Sequence, residues 1–333
     1  MIKIRAYIVT IALTVAATVL PAALKAQQEP LIGQYMFNPY LINPAFAGAE
    51  GNTYFTFTAS NQWAGYAKGP QTYIVAGQSR IRSDFFRAYG GRKSRYRKAS
   101  GNTGVGAMIF SDWNGNVARN GFQATYAYHT ELRGNDQLSL GVSFSMFQFR
   151  ANVTSDDLPD QSGGDEVLLQ GKRVSQISPE ANFGVYYTKD NFFGGLSVSN
   201  LFESKIRFAV DDKNASPEVK RHYYLMGGYK LKASYYFDLE PSAIFTVTEK
   251  GQFNADINFK AYYKSNYWAG LSYRTTGAAL VLLGADYQQF KFGYAFNFGF
   301  GSVSALSRMG SHEFMLGYSI GDKTKRYRWI RRY

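Results

Sequence analysis

The sequence predicts an all-β fold: a transmembrane antiparallel β-barrel of fourteen strands, with short periplasmic turns and longer extracellular loops. Three observations carry that expectation. Between Gln252 and Tyr262, Phe253, Ala255, Ile257, Phe259 and Ala261 share one parity while Asn254, Asp256, Asn258 and Lys260 share the other. Side chains of a strand point alternately to opposite sides, so this stretch is a ribbon with one apolar and one polar face. The pattern then recurs. Leu138, Leu140, Val142, Phe144 and Met146 alternate with Ser139, Gly141, Ser143 and Ser145, and Phe290, Phe292, Tyr294, Phe296 and Phe298 alternate with Lys291, Gly293, Ala295, Asn297 and Gly299. Finally, a second hydrophobic run of helical spanning length is absent after the amino terminus, which leaves a closed sheet as the way across a bilayer. A large soluble antiparallel sandwich would alternate too.

Composition agrees with one large domain. The 26 Tyr, 26 Phe and 33 Gly of the 333 residues fit aromatic girdles at the water–lipid boundaries and a crowded wall. The absence of Cys excludes disulfides, iron–sulfur centres, thiolate zinc and a lipid-modified amino-terminal cysteine. Mean hydropathy is −0.28, as befits strands that turn half their residues to water. A formal net charge of +13 points to an acidic partner or surface.

In chain order, Lys3 and Arg5 precede the uncharged run Ala6 to Leu24, and Lys25-Ala26-Gln27 follows. Residues 1–26 therefore read as a secretory signal peptide cleaved after Ala26; the Ala-rich run and Pro21 argue against an uncleaved inner-membrane anchor. Export plus alternating strands places the chain in the outer membrane of a Gram-negative bacterium.

Residues 27–52 form an amino-terminal periplasmic or plug segment. Asn38-Pro39 and Asn43-Pro44 each combine an extended residue with a fixed proline φ, and asparagine can bond its own backbone ahead. The expected result is a rigid, non-helical bracket. Tyr35, Met36, Phe37, Asn38, Pro39, Tyr40, Asn43, Pro44 and Phe46 would make a docking element or a lumen plug; alternatively, the apolar side chains simply pack against the barrel's end.

The barrel occupies residues 53–320, with strands expected at 53–65, 71–82, 102–112, 119–132, 136–149, 180–189, 191–200, 220–231, 235–248, 251–263, 266–275, 278–288, 289–298 and 311–320. An even count puts both chain ends on one side. Tight connections at Gly134-Asn135, Lys189-Asp190, Lys232-Ala233, Lys264-Ser265 and Gln288-Gln289 share that side, and long loops at 150–179, 201–219 and 299–310 share the other. Short turns face the periplasm in such barrels, so both termini are expected there. Pro241 falls inside the ninth strand, where a bulge or a later start is expected, because a closed barrel has no edge to accommodate it.

One connection on the periplasmic side is strongly basic: Arg80, Arg82, Arg87, Arg92, Lys93, Arg95, Arg97 and Lys98, opposed only by Asp84. The carboxyl-terminal tail, 321–333, adds Lys323, Lys325, Arg326, Arg328, Arg331 and Arg332 on the same side by parity. Two readings stand. The clusters are solvated and touch anionic lipid headgroups, or they dock an acidic periplasmic partner, since the arginine fork suits carboxylate and phosphate. Candidate docking residues here are Arg92, Lys93, Arg95, Arg97, Lys98, Lys325, Arg326 and Arg328.

Signs of chemistry are weak. His129, His222 and His312 show no ligand spacing; His129 shares a parity with Gln123 and Thr125, which makes it a hydrogen-bonded lumen residue. Asp156, Asp157, Asp160, Asp165 and Glu166 crowd one outer loop without an EF-hand pattern. Phosphate-binding glycine motifs and nucleic-acid recognition motifs are absent. The expectation is a non-enzymatic protein without cofactor or metal, and with neither nucleic acid nor a small molecule as ligand.

The most specific stretch is QQEPLIGQYMFNPYLINPAFAGAEG, residues 27–51, followed by Asn61-Gln62-Trp63 and Gly69-Pro70-Gln71-Thr72. With Ser178-Pro179-Glu180, Asn182-Phe183-Gly184-Val185-Tyr186-Tyr187, Pro241-Ser242, Trp268-Ala269-Gly270-Leu271-Ser272-Tyr273-Arg274 and Gly310-Ser311-His312-Glu313-Phe314-Met315-Leu316, it closely resembles the PorP/SprF family of outer-membrane proteins in the type IX secretion system of Bacteroidetes. The tail beyond Ile320 departs from the pattern. The resemblance implies an accessory component that supports export or surface attachment of cargo, such as gliding adhesins. It also implies partners: other type IX secretion components on the periplasmic side, the cargo or its carboxyl-terminal domain, and outer-membrane lipid. The alternative function is a passive porin or a channel for hydrophobic substrates, because a barrel of this size can hold an aqueous lumen.

Overall fold

A computed structural model describes residues 33–66, 68–81, 103–132, 136–152, 173–203, 219–300 and 309–320. Its strands are β1 (Thr53–Asn61), β2 (Gln71–Ile81), β3 (Thr103–Asn114), β4 (Val117–Glu131), β5 (Gln137–Asn152), β6 (Arg173–Lys189), β7 (Phe192–Ser199), β8 (His222–Tyr229), β9 (Leu231–Lys232), β10 (Phe237–Thr248), β11 (Phe253–Tyr263), β12 (Tyr267–Arg274), β13 (Ala278–Tyr287), β14 (Phe290–Gly299) and β15 (Ser311–Ile320). Neighbours in the chain pair antiparallel, except that β8 and β9 both pair with β10; β15 pairs with β1, and β10 with β11, so the sheet closes on itself. The two-residue β9 continues β8 past Lys230 in the same register against β10. The result is a closed barrel of 14 staves, and no described helix is long and apolar enough to cross a membrane.

Alternation along β11 holds at the level of exposure. Phe253, Ile257 and Phe259 face out, Ile257 with 58% of its surface open, while Asp256, Asn258 and Lys260 face in and are buried, Lys260 fully. In β5, Leu140, Val142 and Phe144 are exposed and Ser139, Ser143 and Ser145 buried. An exposed apolar face around a buried polar one inverts a soluble domain and matches a wall between lipid and lumen.

Thr53 pairs with Ile320, so the first and last staves begin and end at one mouth. The turns at Asp190–Asn191, Ala233–Tyr236, Lys264–Asn266 and Gln288–Gln289 lie at that chain-ends mouth. Lys264 and Ser265 both have positive φ (51° and 57°), the left-handed pair of a type I′ hairpin made here without glycine. The opposite mouth carries the longer connections between β5 and β6, β7 and β8, and β14 and β15, together with short turns after β3, β10 and β12.

Several expected boundaries move. β1 stops at Asn61 rather than 65, because Trp63 (φ 53°) and Gly65 (φ 88°) turn the chain over. The expected 150–179 loop is strand at both ends, since β5 runs to Asn152 and β6 starts at Arg173, with Pro179 in register opposite Met146. β6 pairs with β7 only over Phe183–Lys189, which makes Pro179 an edge position, where proline is tolerated. Pro241 causes neither a bulge nor a late start. It pairs in register with Phe259, and only the ladder towards β8 and β9 lapses, over Glu240 and Pro241, with no residue inserted. A residue without an N–H donates to no ladder, and the barrel skips the rungs there. The turn at Gly134-Asn135, the acidic cluster Asp156 to Glu166 and the 1–26 leader lie outside the described residues.

Placing arginine at Ile257 sets a charge in mid-wall facing lipid. Ile257→Arg should destabilise the barrel by about 2–4 kcal/mol in urea titrations from lipid vesicles, whereas a soluble sandwich with that exposed position would tolerate it within about 0.5 kcal/mol.

Candidate functional site: the filled lumen

The segment preceding β1 is built from two Asn–Pro steps. Asn43 (φ −133°, ψ 109°) is extended and Asn38 (φ −135°, ψ 76°) lies outside the helical region, as the steric demand of a following proline favours. Each proline then opens a single 3-10 turn, Pro39–Leu41 and Pro44–Phe46. The expectation of a wholly non-helical bracket is thus corrected: proline's fixed φ suits the first helical position as well. Asn43 caps its own turn, its Oδ1 accepting from the Ala45 N–H at 3.0 Å.

These turns sit inside the barrel. The Gly33 and Gln34 N–H groups donate to the Glu313 carboxylate at 2.8 and 2.9 Å. Asn258 donates to the Tyr35 hydroxyl at 2.9 Å, Asn38 to Thr56 at 3.0 Å, and Asn43 to the carbonyl of Val185 at 3.0 Å. Tyr40 and Thr125 share a bond of 2.9 Å, Ser197 donates to the Ile42 carbonyl at 2.7 Å, and Gly48 N–H donates to Gln78 at 3.0 Å. His129, fully buried, donates from Nε2 to the Ala47 carbonyl at 2.9 Å and so accepts from Ser139 at Nδ1, 2.7 Å away. Glu313 pairs with Ser60, at the far end of β1 from Thr53, whereas Gln78 and His129 lie towards the chain-ends mouth. Residues 33–50 therefore run through the lumen from its loop-rich half to the chain-ends mouth.

The wall makes room with inward glycines. A Cβ on Gly106 would meet the Tyr40 ring at 2.7 Å, and one on Gly195 would meet the Asn43 amide at 2.7 Å. At Gly104, Gly141, Gly184 and Gly293 it would overlap Ala47, Ala45, Asn43 and Gln34 respectively. Glycine inside a strand weakens it unless another backbone approaches closely, and here one does.

Beside the segment lies a belt of buried charge. Lys260 Nζ is 2.6 Å from Glu240, which also accepts from the Tyr262 hydroxyl at 3.4 Å. Arg274 grips Asp256 through Nε and Nη2 at 2.8–3.0 Å. Lys260 also stands 4.6 Å above the Phe37 ring, and the other partner of that ring is Trp268, stacked at a centroid distance of 3.7 Å. Phe37 is thereby pinned between a cation and an indole. Burial, reinforced by nearby Asp256, pushes the Tyr35 phenol far above its ordinary range, so it stays neutral in the lumen.

Of the residues singled out from sequence, Tyr35, Met36, Asn38, Pro39, Asn43 and Pro44 are all buried in this lumen and Phe37 is half-buried. Arg92, Lys93, Arg95, Arg97, Lys98, Lys325, Arg326 and Arg328 lie outside the described residues. Arg80, read from sequence as part of the basic loop, is buried and donates to Gln137 at 3.0 Å; its even parity with Gln78 and Ala76 turns it inward. Sequence reasoning missed Gln34, Glu240 and Glu313, and also the inward glycines, whose parity with lumen residues was the available signal.

Removing one member of the buried pair exposes what it holds. Lys260→Met alone should cost about 3–5 kcal/mol, leaving Glu240 charged and unpaired, while Lys260→Met with Glu240→Leu should recover most of that loss. Guanidinium midpoints followed by tryptophan fluorescence decide it; equal losses for single and double variants would show that the pair does not act as a unit.

None of the curated proteins compared matches this chain. Among solved structures it is similar to the Ralstonia pickettii toluene transporter TbuX, at 11% identity and a TM-score of 0.47 over 86% of this chain and 92% of that one. It is also similar to the Pseudomonas putida toluene transporter TodX, at 9% identity and a TM-score of 0.43 over 88% and 93%. A third likeness is to Salmonella typhi OmpF in complex with daunomycin, at 10% identity and a TM-score of 0.35 over 82% and 99%. The family model described as type IX secretion system membrane protein PorP/SprF matches residues 24–318. With nearly the whole chain matched, this outer-membrane β-barrel belongs to the PorP/SprF family of type IX secretion system membrane proteins.

Proposed function

We propose that this family member is a non-enzymatic, plugged scaffold of the type IX secretion system rather than a pore. It supports export or surface attachment of cargo, gliding adhesins among them, by holding periplasmic components at the chain-ends mouth and a cargo domain at the loop-rich mouth. The observation that carries this reading is the burial of inward polar side chains. Lys260, His129, Ser139 and Glu180 project inward and are 0% exposed, whereas an aqueous channel wets the polar groups of its wall.

Tyr35, Met36, Phe37, Asn38, Pro39, Asn43 and Pro44 serve in this reading as the plug. Docking of periplasmic components then falls to Arg92, Lys93, Arg95, Arg97, Lys98, Lys325, Arg326 and Arg328. The ladder supports their placement: Ile81 pairs with Thr103 and Thr53 with Ile320, so the chain leaves the wall for both basic segments at the same mouth. Arginine forks and lysines there suit an acidic protein surface, and both termini of the barrel face the periplasm.

Two measurements test this. In planar bilayers the mature chain should show no steady conductance, and deletion of 27–50 should open it; steady conductance that the deletion leaves unchanged would identify a passive porin or hydrophobic-substrate channel instead. Combined Arg92→Glu, Arg95→Glu and Arg97→Glu should lower recovery of secretion components in pull-downs by about tenfold or more, since interface charge pairs couple by upwards of about 1.5 kcal/mol. Undiminished recovery would remove the dock.

A further inference from the structure

The two ends of the 33–50 strap are held differently. At the far end, inward-facing Glu313 on β15 is buried, with 5% of its surface exposed. Its Oε2 accepts from Gly33 N–H and its Oε1 from Gln34 N–H, and the Gln34 side chain donates to the Glu313 carbonyl at 3.0 Å. Both carboxyl oxygens and the carbonyl of this one residue are thus taken by Gly33 and Gln34, so one residue concentrates much of the grip on this end.

At the near end the strap reaches β1 through Gly48 (φ 70°) and Gly51 (φ 80°), a left-handed conformation that glycine adopts without strain. Between these ends, the strap's backbone-to-backbone bonds among the described residues are all local, and its backbone meets the wall through wall side chains such as Ser197 and His129. Phe37 bonds back to Gln34, Leu41 to Asn38, Phe46 to Asn43, Ala47 to Pro44 and Ala49 to Phe46. The strap adds no rung to any strand, so its removal leaves every ladder of the wall intact. Its interface is also incompletely bonded: the side-chain oxygens of Gln34, Asn38 and Asn258 meet no donor.

We propose that the strap is a gate with Glu313 as its latch and Gly48–Gly51 as its hinge. With Gly33 and Gln34 seated on the carboxylate the lumen is shut. Their release frees the far end first and opens the lumen to small hydrated ions from the loop-rich mouth. The inference rests on the closed-lumen reading above and adds a residue that controls it.

The chain contains no cysteine, which permits a clean crosslinking test. A Cβ on Gly33 lies 3.9 Å from the Ala295 Cβ, with the flexible tip of Leu280 as the close obstacle at 2.6 Å; a disulfide needs Cβ atoms about 3.5–4.5 Å apart. In potassium chloride across a planar bilayer, Glu313→Ala should raise the open fraction by at least about tenfold over the unsubstituted chain, the factor corresponding to ~1.4 kcal/mol. Glu313→Gln, which keeps the shape, should shift it in the same direction by less and serves if the alanine variant does not insert. Oxidising the Gly33→Cys/Ala295→Cys pair in the Glu313→Ala chain should return the open fraction to the starting level, and reductant should restore the openings. A folded Glu313 variant as silent as the unsubstituted chain, or an oxidised pair that still opens, would overturn the latch. Steady conductance of the unsubstituted chain would instead overturn the closed lumen on which the latch depends.

Discussion

Everything inside this barrel follows from the fact that an inward side chain in a sealed cylinder has no lipid to lie against and little water to bond. Asp256, Lys260, Glu240, Arg274, His129 and Glu313 all point inward and are buried. A buried ion costs several kcal/mol unless a partner and further hydrogen bonds offset it. Four of these six groups pair off, Lys260 with Glu240 and Arg274 with Asp256. Others find the strap: the Ala47 carbonyl for His129 and two backbone N–H groups for Glu313. The strap is therefore an electrostatic component of the wall as much as a stopper in it.

Width makes such a filler necessary. Eight staves give an interior that wall side chains alone can fill, but the present barrel has 14, and its inward positions include glycines at 104, 106, 141, 184, 195 and 293. Those glycines remove side chains where the strap comes closest. Compact 3-10 turns then present Tyr40, Phe46 and Phe37 to the recesses left between them. Phe46 meets Tyr186 edge to face at 5.2 Å, and Phe37 lies flat on Trp268. Shape is matched by residues more than fifty positions apart in sequence, and polarity by the asparagines that start each turn.

The wall was legible because it is written locally. Alternation over any ten residues of β11 or β14 states which side faces lipid, and the parity of His129 with Gln123 and Thr125 placed it in the lumen without further information. Proline was misread at 241 for one reason. Its effect depends on whether the neighbouring strand is pairing at that height, which is a property of the sheet and not of the segment. The strap was legible only as chemistry: Asn38-Pro39 and Asn43-Pro44 announced turns, but not what they would lie against. Gln34 and Glu313 are 279 residues apart, and no periodicity links them. The inward glycines were the nearest thing to a signal, since a strand that places glycine repeatedly on its polar face is leaving room for something.

A lumen crossed by one strap also separates the two faces of the protein mechanically. At the chain-ends mouth the described turns are tight, Lys264 rests between the Tyr236 and Tyr263 rings at 5.4 and 5.3 Å, and exposed Phe237, Tyr267, Tyr287 and Phe290 crowd the adjoining wall, an aromatic girdle that fixes the depth of a barrel in its bilayer. The loop-rich mouth has longer connections and, at Glu313, the far end of the strap. Coupling between distant sites requires an element with two discrete arrangements that both sites can bias. In this barrel every stave is held by a ladder on each side, so the one described element that runs between the two mouths without joining any ladder is the strap.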